Sequence, residues 1–441
     1  MLFCVKMIEK IQLKNFGVKV NMINKFLKNF VTMVFVLFVL MSCLSESKSK
    51  NSSEIFEEQS VINLWTSNLK PRLDKYMKYV IEKFKKANPM IKINWTDFST
   101  EEMVLNLYSS WQENNLPDIV SFDAKTLMND INDELIVDLY KFDDEFLNTF
   151  FEGILKSSEK NNRLLGVPWF TDIKVLFINK SIMDMSNIDE ENYPKNEDEF
   201  LNLMNVVKNN SGKFGSVIEP ESIKNLIFNG LNVFGENGQV YIQTPQIIEH
   251  FKSHKSKFEN MVVPNQFLNF DDKIFLYANN EVAMIKSNFQ FINSIEKISK
   301  EVYDNTVIFP IPVGENDLRY TNTVYLSVVD NGKNEELAMN FIKFILNDQN
   351  QLELSNTTNV LPVVKETFKN EISNDENSKI NKAKKVAFDS LNKGRDFIYN
   401  IEHYNQISNI VEKYSRSIYL DGLEVESVLG NAQQEINKFY N

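Results

Sequence analysis

A chain of 441 residues with 12% aromatic side chains, including 34 Phe, carries enough apolar material for one large two-lobed unit or two domains with cores of their own, which excludes general disorder. Its formal charge of −12 lacks the basic stripe that a nucleic-acid surface needs, and bears on solubility rather than on fold. Cysteine is confined to Cys4 and Cys43, so stability has to come from packing without a disulfide framework.

The N-terminal segment reads as an export signal. Lys25 and Lys28 precede an apolar stretch from Phe30 to Met41, the string Leu40-Met41-Ser42-Cys43 follows, and Ser45 to Ser53 is polar. A membrane span needs about 20 apolar residues and this run is shorter. The string resembles the lipobox of bacterial lipoproteins, whose cysteine becomes the first mature residue and carries the lipid, although Met41 stands where a smaller residue is commoner. On that resemblance residues 1–42 are a cleaved signal peptide and 43–60 a lipidated tether. Cys43 is then the membrane anchor, with the two acyl chains that stable attachment takes. Cleavage removes Lys6, Lys10, Lys14, Lys19, Lys25 and Lys28 against Glu9, leaving the mature protein more acidic. Residues 1–20 are unlike a signal peptide, and Met22 makes the more usual start.

Beyond the tether, strands and helices alternate. Val61 to Trp65 suits a buried strand; Leu73, Met77, Val80, Phe84 and Ala87 recur on one helical face, with Pro71 suited to the first helical position and Asn88-Pro89 to the end. Ile91, Ile93 and Trp95 alternate with polar residues as a strand, completing a right-handed βαβ unit. A helix near Glu101 to Trp111 follows, then Pro117 to Asp123 as a turn leading into a buried strand, with Trp95 and Trp111 assigned to the core. Leu165 to Trp169 leads into a further apolar run, Lys174 to Ile178. Asn196 is placed to cap a helix from Glu197, with Glu199 completing a capping box and Phe200, Leu203, Met204 and Val207 facing inward. Val282–Ile285, Val307–Phe309 and Val324–Val329 read as short strands, and helices are expected at Glu335–Leu346 and from Lys382 onward.

Several strings in this order carry a resemblance: Glu82-Lys83-Phe84-Lys85-Lys86-Ala87-Asn88-Pro89, Leu116-Pro117-Asp118-Ile119-Val120, Gly166-Val167-Pro168-Trp169, Asn179-Lys180, Pro194 to Phe200, Glu281 to Met284, Phe309 to Gly314 and Val360 to Val363. Over residues 61–441 the chain resembles the family 1 extracellular solute-binding proteins, the sugar-binding lipoproteins that serve ABC importers. It departs from their pattern at Glu197, where a tryptophan is frequent, at Asn359-Val360, where glycine is common, and at Phe289, where the aromatic wall is usually Trp. The first two are read as matters of local packing.

The resemblance implies an α/β, two-lobed periplasmic-binding-protein fold of type II-like form, each lobe a mainly parallel sheet flanked by helices, joined by a multi-segment hinge. It places the first lobe at 61–165 plus 320–352 and the second at 170–316 plus 358–441, with crossings near 166–170, 316–322 and 356–361. The expected partners are a small carbohydrate, the permease subunits of an ABC importer and the membrane, with no nucleic acid, no cofactor, no metal and a monomeric state.

A pyranose offers hydroxyls that want charged or amide partners and a C–H face that packs on an aromatic plane, so a sugar site needs both on loops at strand ends. Candidates of that character are Trp65, Ser67, Asp123, Trp169, Asp172, Asn288, Phe289 and Asn322. By resemblance, Asp172 matches a ligand-contacting carboxylate and Phe289 the stacking aromatic. Trp169 and Asp172 are favoured as ligand residues because a crossing segment lies between the lobes. Trp65 suits core or rim as well as contact, Asp123 suits a helix cap as well as a sugar hydroxyl, and Asn288 and Phe289 suit either role. His250, His254 and His403 are assigned to the solvated surface. Lys70, Arg319 and Lys174 are the cations expected near the cleft, too few for a phosphate ligand, so a neutral sugar is favoured. No metalloprotease, serine-hydrolase or phosphate-loop motif occurs, and Gly numbers only 13. A surface adhesin or structural lipoprotein, and a glycoside hydrolase built on an unrecognised carboxylate pair, are the other readings that the residues leave open.

Overall fold

The computed structural model describes residues 60–142, 144–235, 237–314, 317–358, 360–367, 378–396 and 401–440. The expected signal peptide, most of the tether and Cys43 lie outside the described residues. Strand β1 (Ser60–Ser67) buries Ile62, Leu64 and Thr66 on one face. Helix α1 (Asp74–Ala87) follows, burying Tyr76, Met77, Val80 and Phe84. It opens at Leu73 rather than at Pro71, which lies in the preceding turn. Strand β2 (Ile91–Phe98) runs parallel to β1, and helix α2 (Thr100–Gln112) is opened by a reciprocal Ser99–Glu102 capping box. Trp111 is 44% exposed instead of in the core. It sits on the last turn of α2, whose buried side is made by Met103 and Leu107 further back.

Strand β3 (Ile119–Asp123) joins β1 in parallel, and buried Asp118 fixes its start. The Asp118 carboxylate accepts from the Asn63 amide at 2.7 Å, from Asn331 Nδ2 at 3.0 Å and from Asn334 Nδ2 at 3.1 Å. Three donors from two segments, β1 and the loop Asn331–Asn334, thus converge on one side chain. Asp118→Ala strands them, and a loss of about 1–3 kcal/mol in denaturant-induced unfolding is expected; an unchanged midpoint would show that the network is replaceable.

Strand β4 (Val167–Asn179) is continuous where the sequence suggested two separate runs. After it come α3 (Glu197–Ser211), α4 (Pro245–Glu259), β5 (Met284–Asn288), β6 (Thr306–Pro310) and β7 (Arg319–Val328). The short β8 (Leu361–Pro362) and helices α5 (Lys379–Leu391), α6 (Tyr404–Tyr419) and α7 (Val425–Asn437) complete the order used here. Asn196 caps α3 as expected, but Glu199 reaches the amide of Lys195 rather than that of the cap residue.

The strands run β8-β4-β7-β3-β1-β2, with β5 and β6 on the far half of β4. Among the paired strands, β2-β1-β3 are parallel, as is the short strand Gly394–Arg395 beside β7; β4 is antiparallel to β5, β6, β7 and β8, and β3 to β7. The expectation of a mainly parallel sheet around β4 is therefore corrected. A chain that leaves along β4 and returns beside it along β7 must come back antiparallel. Buried Gln351 ties these segments together, donating to the Trp169 carbonyl at 2.9 Å and accepting from the Val363 amide at 3.1 Å.

Three apolar clusters support the sheet. One gathers β1, α1 and the Trp169 end of β4. Another gathers Leu176 and Ile178 of β4 with α3, α4, α6 and α7. The third runs behind β4, joining Val120 and Phe122 to Val175, Phe177 and α5. Among the described residues no helix is long and apolar enough to cross a membrane.

Candidate functional site

Register decides which side chains share a face. Asp172 of β4 stands opposite Asn322 of β7, and Lys174 of β4 opposite Asn288 of β5. Directly opposed residues point the same way, as do residues two apart on one strand. Asp172, Lys174, Tyr320, Asn322, Lys286 and Asn288 therefore line one polar strip. Lys174, Tyr320, Asn322 and Lys286 of that strip open on a cavity of about 430 Å³, which also takes in Glu197, Glu219, Glu221, Lys224, Phe228 and His254. That volume falls within the 300–1,000 Å³ usual for small-molecule sites.

Charge along the cavity lining is balanced, with Lys174, Lys224 and Lys286 against Glu197, Glu219 and Glu221. Lys174 pairs with Glu219 at 2.7 Å, Lys273 with the other Glu219 oxygen at 2.6 Å, and Lys286 with Glu197 at 2.5 Å. Against the upward push of burial, Lys174 and Lys273 hold the Glu219 carboxyl down at about 2. Lys224 Nζ stands 3.7 Å from the centre of the Tyr320 ring, and burial, with Lys174 nearby, lowers its ammonium to about 8. The Tyr320 ring meets Phe228 edge-on at 5.3 Å, giving the cavity an aromatic corner. Burial drives the Tyr320 hydroxyl well above its ordinary range, with the charges of Asp396, Asp123 and Asp172 adding to the effect. Asp123 and Asp172 thus act on one ring from different strands.

Asp172 is the strained member of the strip. Burial pushes its carboxyl up to about 6, opposed by hydrogen bonding from the Ile173 amide and Asn288 and by the charges of Arg72 and Lys174. Asp172 Oδ1 and Asn288 Oδ1 are both buried with no hydrogen-bond partner among the described residues. Two buried acceptors on one face ask for donors, and leaving them unmet costs about 1–3 kcal/mol each.

The structure separates the predicted site residues. Asp172 and Asn288 join the strip, and Asn322 lies at its edge, accepting from the Tyr320 hydroxyl. Ser67, Asp123 and Trp65 lie on β1 and β3 outside the cavity. Ser67 Oγ reaches the Ser121 carbonyl at 3.4 Å, and Asp123 caps the helix Ala124–Asn129 through the Thr126 amide at 2.7 Å while its side chain stays exposed. Half-buried Trp65 packs edge-on against Phe98 at 5.3 Å.

Two aromatic expectations are overturned. Trp169 and Phe289 are each 0% exposed. Trp169 follows an irregularity in the β4–β7 pairing between Pro168 and Phe170, and its ring is packed against Phe170 in the core. Phe289 follows Asn288, so the two-residue period turns it to the opposite side, among Phe291, Ile292 and Val175. Tyr320 and Phe228 take the aromatic place instead. Nothing local in the sequence marks Lys224, Glu219 and Glu221, and Glu197 lines the cavity instead of serving packing alone. Lys70 lies over Trp95 and Arg319 reaches Asp317, so neither lines the cavity. His250 and His254 are corrected as well: their side chains are 8% and 5% exposed, while His403 is the exposed one.

A mixed sheet flanked by helices, with a polar strip opening on a cavity, is the frame of a binding protein of the periplasmic type. A sequence profile of the bacterial extracellular solute-binding proteins matches residues 79–380, and the chain belongs to that family. Membership places it outside the cytoplasm and among binding proteins rather than enzymes. The chain is 22% identical over 370 residues to a binding protein of Brucella abortus (strain 2308), covering 81% of this chain and 88% of the relative. In fold it is similar to an oligosaccharide periplasmic-binding protein from Synechococcus sp. MITs9220, with a TM-score of 0.73 at 18% identity, covering 86% of this chain and 98% of that one. It is also similar to the sugar-binding protein MalE of Xanthomonas citri, with a TM-score of 0.73 at 14% identity over 86% and 97%. At such identities the likeness concerns fold.

Proposed function

We propose that the protein captures a neutral sugar or oligosaccharide in this cavity and delivers it to the permease subunits of an ABC importer, working as a monomer tethered to the membrane by lipid on Cys43. The observation that carries the reading is the pair of buried, unpartnered acceptors, Asp172 Oδ1 and Asn288 Oδ1, on the strip that leads into the cavity. Sugar hydroxyls supply the donors these atoms need. The Lys174–Glu219 and Lys286–Glu197 pairs offer donors and acceptors together without net charge, which suits a polyol better than a phosphate. Tyr320 and Phe228 supply the face for a sugar ring. The solved relatives named for oligosaccharides and sugars favour the same class.

The lobes are assigned to 61–165 plus 320–352 and to 170–316 plus 358–441, with β4, β7 and β8 as crossings. Closure about them brings the ends of β1 and β3, with Ser67 and Asp123, toward the strip. A thermal-shift screen of the purified protein against a carbohydrate panel tests the reading. A cognate sugar at a hundredfold excess over Kd is expected to add about 2.7 kcal/mol of stability with no turnover. Release of reducing ends would make it a hydrolase, and binding to a macromolecule alone would make it an adhesin.

A further inference from the structure

Glu221, His250 and His254 meet at the inner end of the cavity. Helix α4 brings the two histidines onto one face at i and i+4, and Glu221 approaches from the segment before the helix Ile223–Phe228. One ligand atom from each lies within 4.8 Å of the other two. His250 Nε2 is 3.0 Å and His254 Nε2 3.9 Å from Glu221 Oε1. A tetrahedral ion with ligand bonds of about 2.0–2.1 Å sets its donors roughly 3.3 Å apart, so the His250 pair has to open by about 0.3 Å and the His254 pair to close by about 0.6 Å, which side-chain rotation can supply.

We propose that Glu221, His250 and His254 form a binding site for one divalent transition-metal ion of the zinc class. The hydrogen bonding of the imidazole fits it. His254 Nδ1 lies 2.9 Å from the His250 carbonyl oxygen, which can only accept, so Nδ1 carries the proton and Nε2 keeps its lone pair toward Glu221. A lone pair and a carboxylate oxygen then face each other, an arrangement that a cation resolves. Glu221 Oε2 is buried with no hydrogen-bond partner among the described residues, which leaves a carboxylate oxygen free to coordinate. Two imidazoles and one carboxylate suit zinc-type ions, whereas calcium and magnesium call for oxygen alone. Glu221 and His254 also line the cavity, so the open coordination position faces the solute. Nearby Lys286 is held by Glu197. This site goes beyond sugar capture, and either can exist without the other.

The test uses full-length protein without a histidine tag, stripped by chelator and titrated with zinc against a chromophoric competitor. One zinc per chain is expected, weakened by about 100-fold in His254→Gln and in Glu221→Gln and unaltered in His403→Gln. Zinc binding that is absent, or that persists in the His250→Gln/His254→Gln double variant, overturns the proposal and leaves a plain His–Glu hydrogen bond. Should the buried variants misfold, X-ray absorption on the zinc-loaded parent decides. Two imidazole nitrogens at about 2.0–2.1 Å support the site, and a shell without imidazole rejects it.

Discussion

Trp169→Ala is expected to destabilise the protein by about 3–5 kcal/mol, the range for removing a large aromatic side chain from a closed core. The ring is fully buried in the cluster of β1, α1 and β4, packed against Phe170 at 5.2 Å. Neighbours fixed by β-pairing on both sides cannot collapse into the space. Total stabilities of about 5–15 kcal/mol make such a loss a large fraction of the whole. Urea unfolding of the variant, together with calorimetric titration of the fraction still folded, separates the two possible roles. A core residue gives a large loss of unfolding free energy with ligand affinity nearly retained. Lost affinity at unchanged stability would return Trp169 to the binding surface.

Asp172→Asn is expected to do the opposite. The folded pKa of about 6 lies above the roughly 3.9 of an unfolded chain, so as pH rises the unfolded chain ionises first. Stability is therefore lost between about pH 4 and 6, and the whole deficit, on the order of 2–3 kcal/mol, persists above pH 6. Removing the charge relieves it. The ligand-free variant should be more stable than the parent at pH 7.5, and the difference should fade by about pH 4. Ligand affinity at pH 7.5 should drop by about 10- to 150-fold, the equivalent of a charged hydrogen bond worth roughly 1.5–3 kcal/mol. In the parent, affinity should fall as pH drops below 6 and the acid takes up a proton. A variant less stable at neutral pH, with affinity intact, would make Asp172 a structural carboxylate.

The elements most legible in the sequence were those whose period serves one core. Met77, Val80 and Phe84 declared α1, and Asn196 declared the start of α3, because the stripe and the cap are local devices. In the sequence β4 reads as two runs because Thr171, Asp172 and Lys174 interrupt its apolar stretch. Those residues interrupt it because one face of the strand borders the polar strip. Asp172 and Asn288 could be singled out from chemistry and position in the chain. Tyr320 becomes visible only once β7 is known to lie antiparallel to β4 in a register that sets Asn322 against Asp172. The histidine pair shows the same limit. His250 and His254 are one helical turn apart, but Glu221 lies 29 residues before His250 and comes beside it through packing alone.

By itself the sequence determined the alternation of strands and helices, the dominance of packing over cross-links and the family likeness, since hydrophobic period, cysteine content and short motifs are written along the chain. The tertiary structure alone decided which polar groups face one another and which aromatics are sealed away. Strand register and the two-residue alternation of side chains assign each residue to a face. A shift of one position would have sent Asn288 into the core and Phe289 onto the solvated strip.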